Sequence, residues 1–200
     1  SLIEDNDLKR EIVIKSVLPK FEDSAEFTLR FIDEAQLVGQ LEHPNIIPIY
    51  DFGIQQSGNL YFTMKLIRGV TLAEVIKKLV GGDKQTHSLY SWSRRVNIIQ
   101  QVCDALQFAH SRGVIHRDLK PENIMIGEFG EVIVMDWGLA KLIFSGDDEV
   151  DLLNNPQCPS FQHENTVAGV IKGSPCYMAP EQVQSDIHEL DERTDLYALG

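Results

Sequence analysis

The sequence has few cysteines, few basic residues and no long hydrophobic run, and each shortage argues against a class of protein. Its three cysteines (Cys103, Cys158 and Cys176) include no Cys-x-x-Cys pair, which argues against a disulfide framework or a zinc site and predicts a reducing compartment. A net charge of −12 argues against general nucleic-acid binding, which needs a basic face. No run of about 18 apolar residues occurs, so no membrane segment is predicted in this chain. We therefore expect a cytoplasmic domain, which a longer parent protein could anchor at a membrane.

Strand patterns come first along the chain. Residues 11–18 (EIVIKSVL) are rich in β-branched side chains and predict a strand that a single lysine, Lys15, interrupts. The segments NIIPIYDFG and NLYFTMKLI predict two further strands, with turn residues between them. Residues 24–41 predict a helix with four inward apolar residues: Phe27, Phe31, Val38 and Leu41.

One acidic residue, Glu34, falls on the inward stripe of that helix. A carboxylate that faces a core costs free energy unless a cationic group meets it there. The pattern therefore predicts a cationic partner for Glu34.

Helical patterns dominate the middle of the chain. Thr71 and Glu74 form a capping-box pattern at the start of one helix, and Gly81 ends it. Residues 91–112 predict a long helix with five inward residues: Val96, Ile99, Cys103, Leu106 and Ala109. From residue 142 to about residue 174 the pattern is lost, which predicts a long loop that is functional or disordered.

Residues 113–126 (GVIHRDLKPENIMI) place six polar or charged side chains between two short apolar segments. Three motifs in this part of the chain occur in a fixed order: HRDLKPEN at residues 116–123, DWG at residues 136–138 and APE at residues 179–181. The order and spacing of these motifs match the motif set of protein kinases. Upstream, IVIK ends at Lys15, where the family has a strand lysine, and Glu34 lies on the next helix.

The chain therefore resembles a eukaryotic-type protein kinase domain, and Lys120 together with GSPCYMAPEQ resembles the Ser/Thr branch in its bacterial form. The resemblance extends from Lys15 to Gly200. It implies an α+β, bilobal protein-kinase-like fold with a small β-rich N-lobe, one helix in that lobe, and a helical C-lobe. We expect residues 1–67 to form the partial N-lobe up to the hinge. Residues 68–200 are expected to form a partial C-lobe with the catalytic loop and the activation segment.

The resemblance also implies roles in phosphoryl transfer, where catalysis is mostly positioning and charge neutralisation. Asp118 would accept the proton of the substrate hydroxyl and orient it. Asn123 and Asp136 would bind Mg²⁺ through hard oxygen ligands. Ser174 stands where the family has a threonine that touches the catalytic aspartate and lysine.

ATP would be held by two lysines with separate tasks. Lys120 would meet the γ-phosphate, while Lys15 would hold the α- and β-phosphates and Glu34 would hold Lys15. The last pairing explains the inward carboxylate, because each of two buried charges offsets the desolvation of the other.

The adenine site follows from the same resemblance. Met64 would guard the back of the pocket, and Lys65 to Ile67 would form the hinge whose backbone reads adenine. Val13 and Met125 would lie on the two faces of the adenine ring. Val13 replaces the alanine that the family usually has there, and its larger side chain would narrow the pocket.

Regulation by phosphorylation is implied by Arg117, which is placed to bind a phosphorylated loop residue through bidentate hydrogen bonds. Thr166 is the preferred candidate for autophosphorylation and Ser160 the second. The expected partners are ATP and a protein substrate with a serine or threonine hydroxyl.

Two features leave alternatives open. No G-x-G-x-x-G precedes Lys15, and the chain stops just inside the family's large central helix, which begins at Asp195. We therefore expect a piece of a longer kinase, weakly active or inactive by itself. A pseudokinase scaffold that binds nucleotide is an alternative, although the residues whose loss would mark it are all present. A small-molecule phosphotransferase is the other alternative, which the activation segment ending in APE disfavours.

Overall fold

The computed structural model describes residues 1–17, 25–138, 140–142, 174, 176–183 and 190–200. The chain divides into two units. The first contains Ser1–Phe108 and Pro121–Gly138, and the second contains Ala109–Lys120 and Leu139–Gly200.

The first unit begins with an antiparallel four-stranded sheet. Its strands are β1 (Leu2–Asp5), β2 (Arg10–Ser16), β3 (Ile49–Ile54) and β4 (Leu60–Lys65), in the spatial order β1-β2-β4-β3. The predicted strands correspond to β2, β3 and β4, whereas β1 was not predicted. Strand β2 pairs with β4 in a register that places Lys15 opposite Phe62 and Val13 opposite Met64. Alternation along β2 thus sets which side chains share a face with Lys15.

Helix α1 (Ala25–Gly39) contributes the apolar cover of this sheet. The rings of Phe31 and Phe62 lie 4.9 Å apart, and Ala35 joins them in one buried cluster. The prediction that Phe27 faces inward is wrong, because its side chain is 42% exposed. The buried cluster of described residues contains Phe31 and Ala35 of this helix, one and two turns after Phe27.

Three helices follow in the chain: α2 (Leu72–Val80), α3 (Lys84–Leu89) and α4 (Trp92–Ser111). The capping box at the start of α2 is confirmed, with the Thr71 side chain accepting from the Glu74 N–H and the Glu74 side chain accepting from the Thr71 N–H. These bonds satisfy N–H groups that have no partner inside the helix. Helix α3 was not predicted.

The buried face of α4 differs from the predicted one. Leu106 and Ala109 are buried as predicted, but Val96, Ile99 and Cys103 are exposed. The remaining buried positions are Ile98, Val102 and Ala105. Apolar residues occur on both faces of this helix, so the 3.6-residue period is satisfied by either face and does not select one.

A second sheet in the same unit consists of β5 (Gly69–Thr71), β7 (Ile124–Gly127) and β8 (Val132–Val134), in the order β5-β7-β8. The loop after α1 is bonded to β8: the Val134 N–H donates to the Asn45 carbonyl at 2.8 Å, and the Ile47 N–H donates to the Val134 carbonyl at 3.1 Å. The Asn45 side-chain amide donates to Val132 O at 2.8 Å and to Gln101 Oε1 at 3.0 Å. These bonds fix the position of β8 within the unit.

The second unit contains β6 (Val114–Ile115), which pairs with β9 (Lys141–Leu142), and two helices, α5 (Pro180–Val183) and α6 (Glu192–Leu199). Thr194 in α6 donates its hydroxyl to Glu181 Oε1 in α5 at 2.8 Å. Among the helices that the structure describes, none has the length and apolar character to cross a lipid bilayer.

Candidate functional site

A partly buried ion pair joins β2 to α1 in the first unit. The Lys15 ammonium donates to Glu34 Oε1 at 2.6 Å and to Glu34 Oε2 at 2.8 Å. The Glu34 side chain is only 10% exposed, while that of Lys15 is about one-third exposed. The cationic partner that the sequence required for Glu34 is therefore Lys15.

Burial raises the pKa of Glu34 above its ordinary value, and the Lys15 charge and hydrogen bonds offset only part of that increase. A carboxyl group with a raised pKa favours folding below its ordinary pKa of 4.5, and this contribution is lost as the pH rises through the folded pKa. The Lys15 charge and hydrogen bonds thus recover part of the cost of burying the ionised Glu34 carboxylate, and loss of Lys15 would leave that carboxylate without compensation.

Asp136 lies next to this pair. Its Oδ1 is 3.5 Å from Lys15 Nζ, and its side chain is 54% exposed. Its backbone adopts a left-handed conformation with φ 59°, which is uncommon for a residue other than glycine. A Cβ at Gly138 would lie 3.3 Å from Glu34 Oε2, so the glycine of the DWG motif leaves space for the carboxylate.

Asn123 and Asp136 are at the same end of the β7–β8 hairpin. Asn123 ends a 3₁₀ turn (Pro121–Asn123) directly before β7, and Asp136 follows β8 by two residues. The strands are antiparallel with Ile124 opposite Val134, and the Met135 N–H donates to the Asn123 carbonyl at 2.8 Å. The hairpin register therefore brings one amide and one carboxylate to the same edge, and both offer oxygen ligands.

The predicted adenine residues also belong to the first unit, and all are partly buried. Val13 lies opposite Met64 in the β2–β4 register, and Met125 is in β7 opposite Ile133. Lys65 ends β4 and donates its N–H to the Pro48 carbonyl at 3.3 Å, while Ile67 follows in the connection to β5. Their part in nucleotide binding stays a prediction.

A second cluster lies within the second unit and consists of Asp118, Lys120 and Ser174. The Lys120 ammonium donates to Asp118 Oδ2 at 2.7 Å and to Ser174 Oγ at 2.8 Å. The Ser174 N–H and hydroxyl both donate to Asp118 Oδ1 at 3.0 Å. Each Asp118 oxygen is thus bound by a donor, which fixes the carboxylate in one orientation.

The backbone before Asp118 is held by Asp195 of α6. The carboxylate accepts from the N–H groups of His116 and Arg117 and from His110 Nε2, each at 2.8 Å. Burial acts to raise the pKa of Asp195, but the bonds from His110, the backbone N–H groups and the His116 charge together bring the pKa below its ordinary value. Asp195 is thus a buried anion that holds the backbone of His116 and Arg117 directly before Asp118.

Sequence reasoning missed two residues near this loop, His110 and Gln182. His110 is 85 positions from Asp195, and no local pattern reports a contact of that span. Gln182 follows the APE motif and occupies the third position of α5, a capping-box position that could have been recognised. The predicted phosphorylation sites Thr166 and Ser160 lie outside the described residues.

Comparison with known proteins gives a consistent family assignment. The family model described as protein kinase domain matches residues 2–200. The serine/threonine-protein kinase PknD of Protochlamydia amoebophila is 37% identical over 196 residues, which cover 96% of this chain and 20% of the relative. The PknD proteins of Chlamydia abortus and Chlamydia trachomatis serovar L2b are each 34% identical, covering 96% and 100% of this chain and 20% and 22% of the relatives.

The chain spans about a fifth of the length of these curated relatives. The family model covers almost every residue, including both clusters and the motifs that contain them. The chain belongs to the protein kinase domain family.

Proposed function

We propose that this chain is part of an ATP-dependent protein kinase that transfers the γ-phosphate to serine or threonine hydroxyls of protein substrates. The observation that carries the proposal is the Asp118–Lys120–Ser174 cluster, in which a carboxylate, an ammonium group and a hydroxyl are joined by hydrogen bonds of 2.7–3.0 Å. The curated relatives are named serine/threonine-protein kinases, which supports a protein substrate.

Asp118 would receive the hydroxyl proton of the substrate. Its fixed carboxylate would orient that hydroxyl while the new O–P bond forms and the bond from the γ-phosphorus to the bridging oxygen of ADP breaks. Lys120 would neutralise charge on the transferred group, since its ammonium is already held beside Asp118. Ser174 would keep the two groups in position.

Nucleotide and metal would be held by residues of the first unit. Asn123 and Asp136 supply hard oxygen donors at one edge of a hairpin, the type of ligand that Mg²⁺ prefers. The described residues contain no cluster of three or more His, Cys, Asp or Glu that could enclose a metal. This fits Mg²⁺ held by one or two protein ligands together with phosphate oxygens. When bound, the metal supplies neutralisation of phosphate charge.

Lys15 would bind the α- and β-phosphates of ATP. Glu34 holds its ammonium in place through two short bonds, so the lysine is ordered before a phosphate arrives. For the base we propose Val13 and Met125 on the two ring faces, Met64 at the back, and the backbone from Lys65 to Ile67 as the hydrogen-bonding edge.

Autophosphorylation at Thr166 is part of the proposal. Arg117 Nε is buried, and within the described part of the chain it has no hydrogen-bond partner. Burial lowers the pKa of the Arg117 guanidinium, and the Asp195 charge opposes that change. A buried N–H donor without a partner costs free energy that a phosphate oxygen would recover.

The location of this part of the protein would be cytoplasmic. ATP as the phosphate donor supports this, as do Cys103 and Cys176, which are free thiols in the structure.

The decisive experiment compares the full-length protein with its Asp118→Asn variant in γ-phosphate transfer to a generic protein substrate. We expect transfer to phosphoserine or phosphothreonine, and a loss of about 100-fold to 10,000-fold in the variant, because general-base catalysis contributes that much. Asp104→Asn, on the exposed side of α4, is the matched control and should retain full activity. Equal phosphate incorporation by wild type and Asp118→Asn would refute the catalytic proposal and favour a nucleotide-binding scaffold.

A further inference from the structure

The residue before the proposed catalytic aspartate has an unusual backbone conformation. Arg117 has φ 68°, in the left-handed region that residues other than glycine seldom adopt. Such a conformation is strained and persists only where the surroundings impose it. Because Asp118 follows directly, the Arg117 conformation sets the direction in which the Asp118 side chain leaves the backbone, toward Lys120 and Ser174.

Asp195 binds only one of the two peptide groups that flank Arg117. Its Oδ1 accepts from the Arg117 N–H at 2.8 Å, which fixes the peptide group that precedes the residue. The Arg117 carbonyl belongs to the peptide group that leads into Asp118, and Asp195 does not bind it. The N–H of that group donates to His116 Nδ1 at 3.3 Å, which leaves the carbonyl to be held by another residue.

Gln182 makes this contact. Its Nε2 donates to the Arg117 carbonyl at 2.7 Å, and its side chain is buried, with 8% of the residue exposed. Its Oε1 accepts from the Ala179 N–H at 3.0 Å. Because that N–H can only donate, it fixes which end of the amide is the oxygen and directs the NH₂ group at Arg117.

The contact at Ala179 follows from the position of Gln182 in α5. Ala179 precedes the helix, Pro180 is its first residue, and Gln182 is its third. A glutamine at the third position reaches back to the N–H of the capping residue, as in one half of a capping box. The short helix that begins within the APE motif thus presents one amide to the catalytic loop.

We propose that Gln182 is a positioning residue for Asp118, acting through the carbonyl of Arg117. This inference rests on the proposed kinase function. Gln182 and Asp195 together hold the two peptide groups that flank the left-handed residue. A neutral amide is suited to the task because it satisfies one N–H and one carbonyl without adding charge beside Asp195.

The competing explanation is that Gln182 only caps α5. Two substitutions separate the explanations. Gln182→Glu keeps the length and the acceptor for the Ala179 N–H, but at neutral pH its carboxylate has no donor for the Arg117 carbonyl. Gln182→Met keeps approximate length and loses both bonds. Gln107→Glu, an exposed position on α4, controls for the added charge.

The experiment measures kcat and the KM for ATP in the full-length protein, with rates expressed per nucleotide-binding equivalent so that loss of folded protein does not imitate the effect. We expect both Gln182 variants to lower kcat about tenfold, the loss of one hydrogen bond to the catalytic loop, with the KM for ATP within about twofold of wild type. Gln107→Glu should match wild type. A Gln182→Glu variant with wild-type kcat would overturn the proposal, since capping alone would then explain the residue.

Amide hydrogen exchange provides a readout that does not need activity. We expect residues 113–120 to exchange faster in both Gln182 variants, while residues 98–106 of α4 in the same sample serve as the internal reference. Unchanged exchange at residues 113–120 would overturn the proposal even if kcat falls. If the unsubstituted protein transfers no phosphate but the exchange changes as expected, the kinase function fails while the contact between Gln182 and Arg117 is supported.

Discussion

The two carboxylate oxygens of Glu34 lie 2.6 and 2.8 Å from the ammonium nitrogen of Lys15. An ammonium group has three N–H donors, and Glu34 therefore engages two of them. The position of Lys15 depends on α1, the helix that carries Glu34, as much as on its own strand. Loss of either partner affects the other.

The first prediction concerns this dependence. In the full-length protein, Lys15→Met should lower kcat/KM for ATP by about 100-fold or more, because the charge that we propose Lys15 places on the phosphates is lost. Glu34→Gln should produce a smaller loss, and the double variant should be no worse than Lys15→Met alone, since Glu34 acts through Lys15. Steady-state kinetics of the three variants measure the coupling.

Two control variants accompany the two single variants and the double variant. Glu42→Gln and Lys77→Met alter exposed residues of the same types and should leave kcat/KM unchanged. Additive losses from Lys15→Met and Glu34→Gln would contradict the prediction, because independent roles would then be required.

The second prediction concerns the hydroxyl of Ser174. Ser174→Ala removes two hydrogen bonds of the hydroxyl: the one it accepts from the Lys120 ammonium and the one it donates to Asp118 Oδ1. The bond from the Ser174 backbone N–H to Asp118 Oδ1 is retained. We expect kcat to fall about tenfold. Ser174→Thr keeps the hydroxyl and should remain near wild type, and a threonine variant as impaired as the alanine variant would show that the hydroxyl is not what matters.

The third prediction is a pH dependence of stability from Asp195. Its folded pKa lies below the ordinary value of 3.8, so its contribution is present above pH 3.8 and is lost as the pH falls through the folded pKa. Asp195→Asn should lower the free energy of unfolding at neutral pH by about 1.5–3 kcal/mol, the range for hydrogen bonds to a charged group. Urea unfolding at successive pH values should show this deficit shrinking as the pH drops below 3.8.

Asp104→Asn provides the matched exposed substitution for that series and should follow the wild-type curve. A deficit of Asp195→Asn that stays constant over the whole pH range would mean that the negative charge of Asp195 is not the source of its contribution.

The fourth prediction concerns the loop after α1. Asn45→Leu removes the hydrogen bonds that the side-chain amide donates to Val132 O and Gln101 Oε1. The buried Val132 carbonyl then lacks the bond from Asn45. The expected cost is about 1–3 kcal/mol of unfolding free energy. It should appear as a lower urea midpoint with an unchanged m-value, whereas Asn6→Ala in an exposed turn should have no effect. An unchanged midpoint for Asn45→Leu would show that the loop is held by its backbone bonds alone.

Short-range patterns and ordered motifs predicted much of this molecule. The capping box at Thr71 and Glu74 was correct because both its bonds span three residues. The motif order identified the family, whose model matches residues 2–200, while the roles of Lys15, Asp118, Asn123 and Asp136 stay predictions. Glu34 was recognised because an inward carboxylate is costly without a partner.

The errors arose where tertiary contacts decide which face of a helix is buried or which residues pair. The exposed face of α4 is as apolar in sequence as the buried one, so Val96 and Ile99 were assigned to the wrong side. Phe27 lies on the helical stripe but precedes the region of α1 that meets the sheet. His110 and Gln182 act through contacts 85 and 65 positions away in sequence, which no local period reports.

The attachment of residues 45–47 to Val134 has a mechanical consequence for α1. Because this loop is bonded to β8, the backbone just beyond the C-terminal end of the helix is anchored, and a rotation of α1 about that anchor would move its two ends by different amounts. At about 1.5 Å per residue, Glu34 is about 8 Å from the C-terminal residue Gly39, whereas Ala25 is about 21 Å from it. A given rotation therefore displaces the start of the helix nearly three times as far as Glu34. A force applied to the first turn of α1 would therefore act at a greater distance from the anchor than a force applied at Glu34, and a smaller force there would displace the Lys15–Glu34 pair.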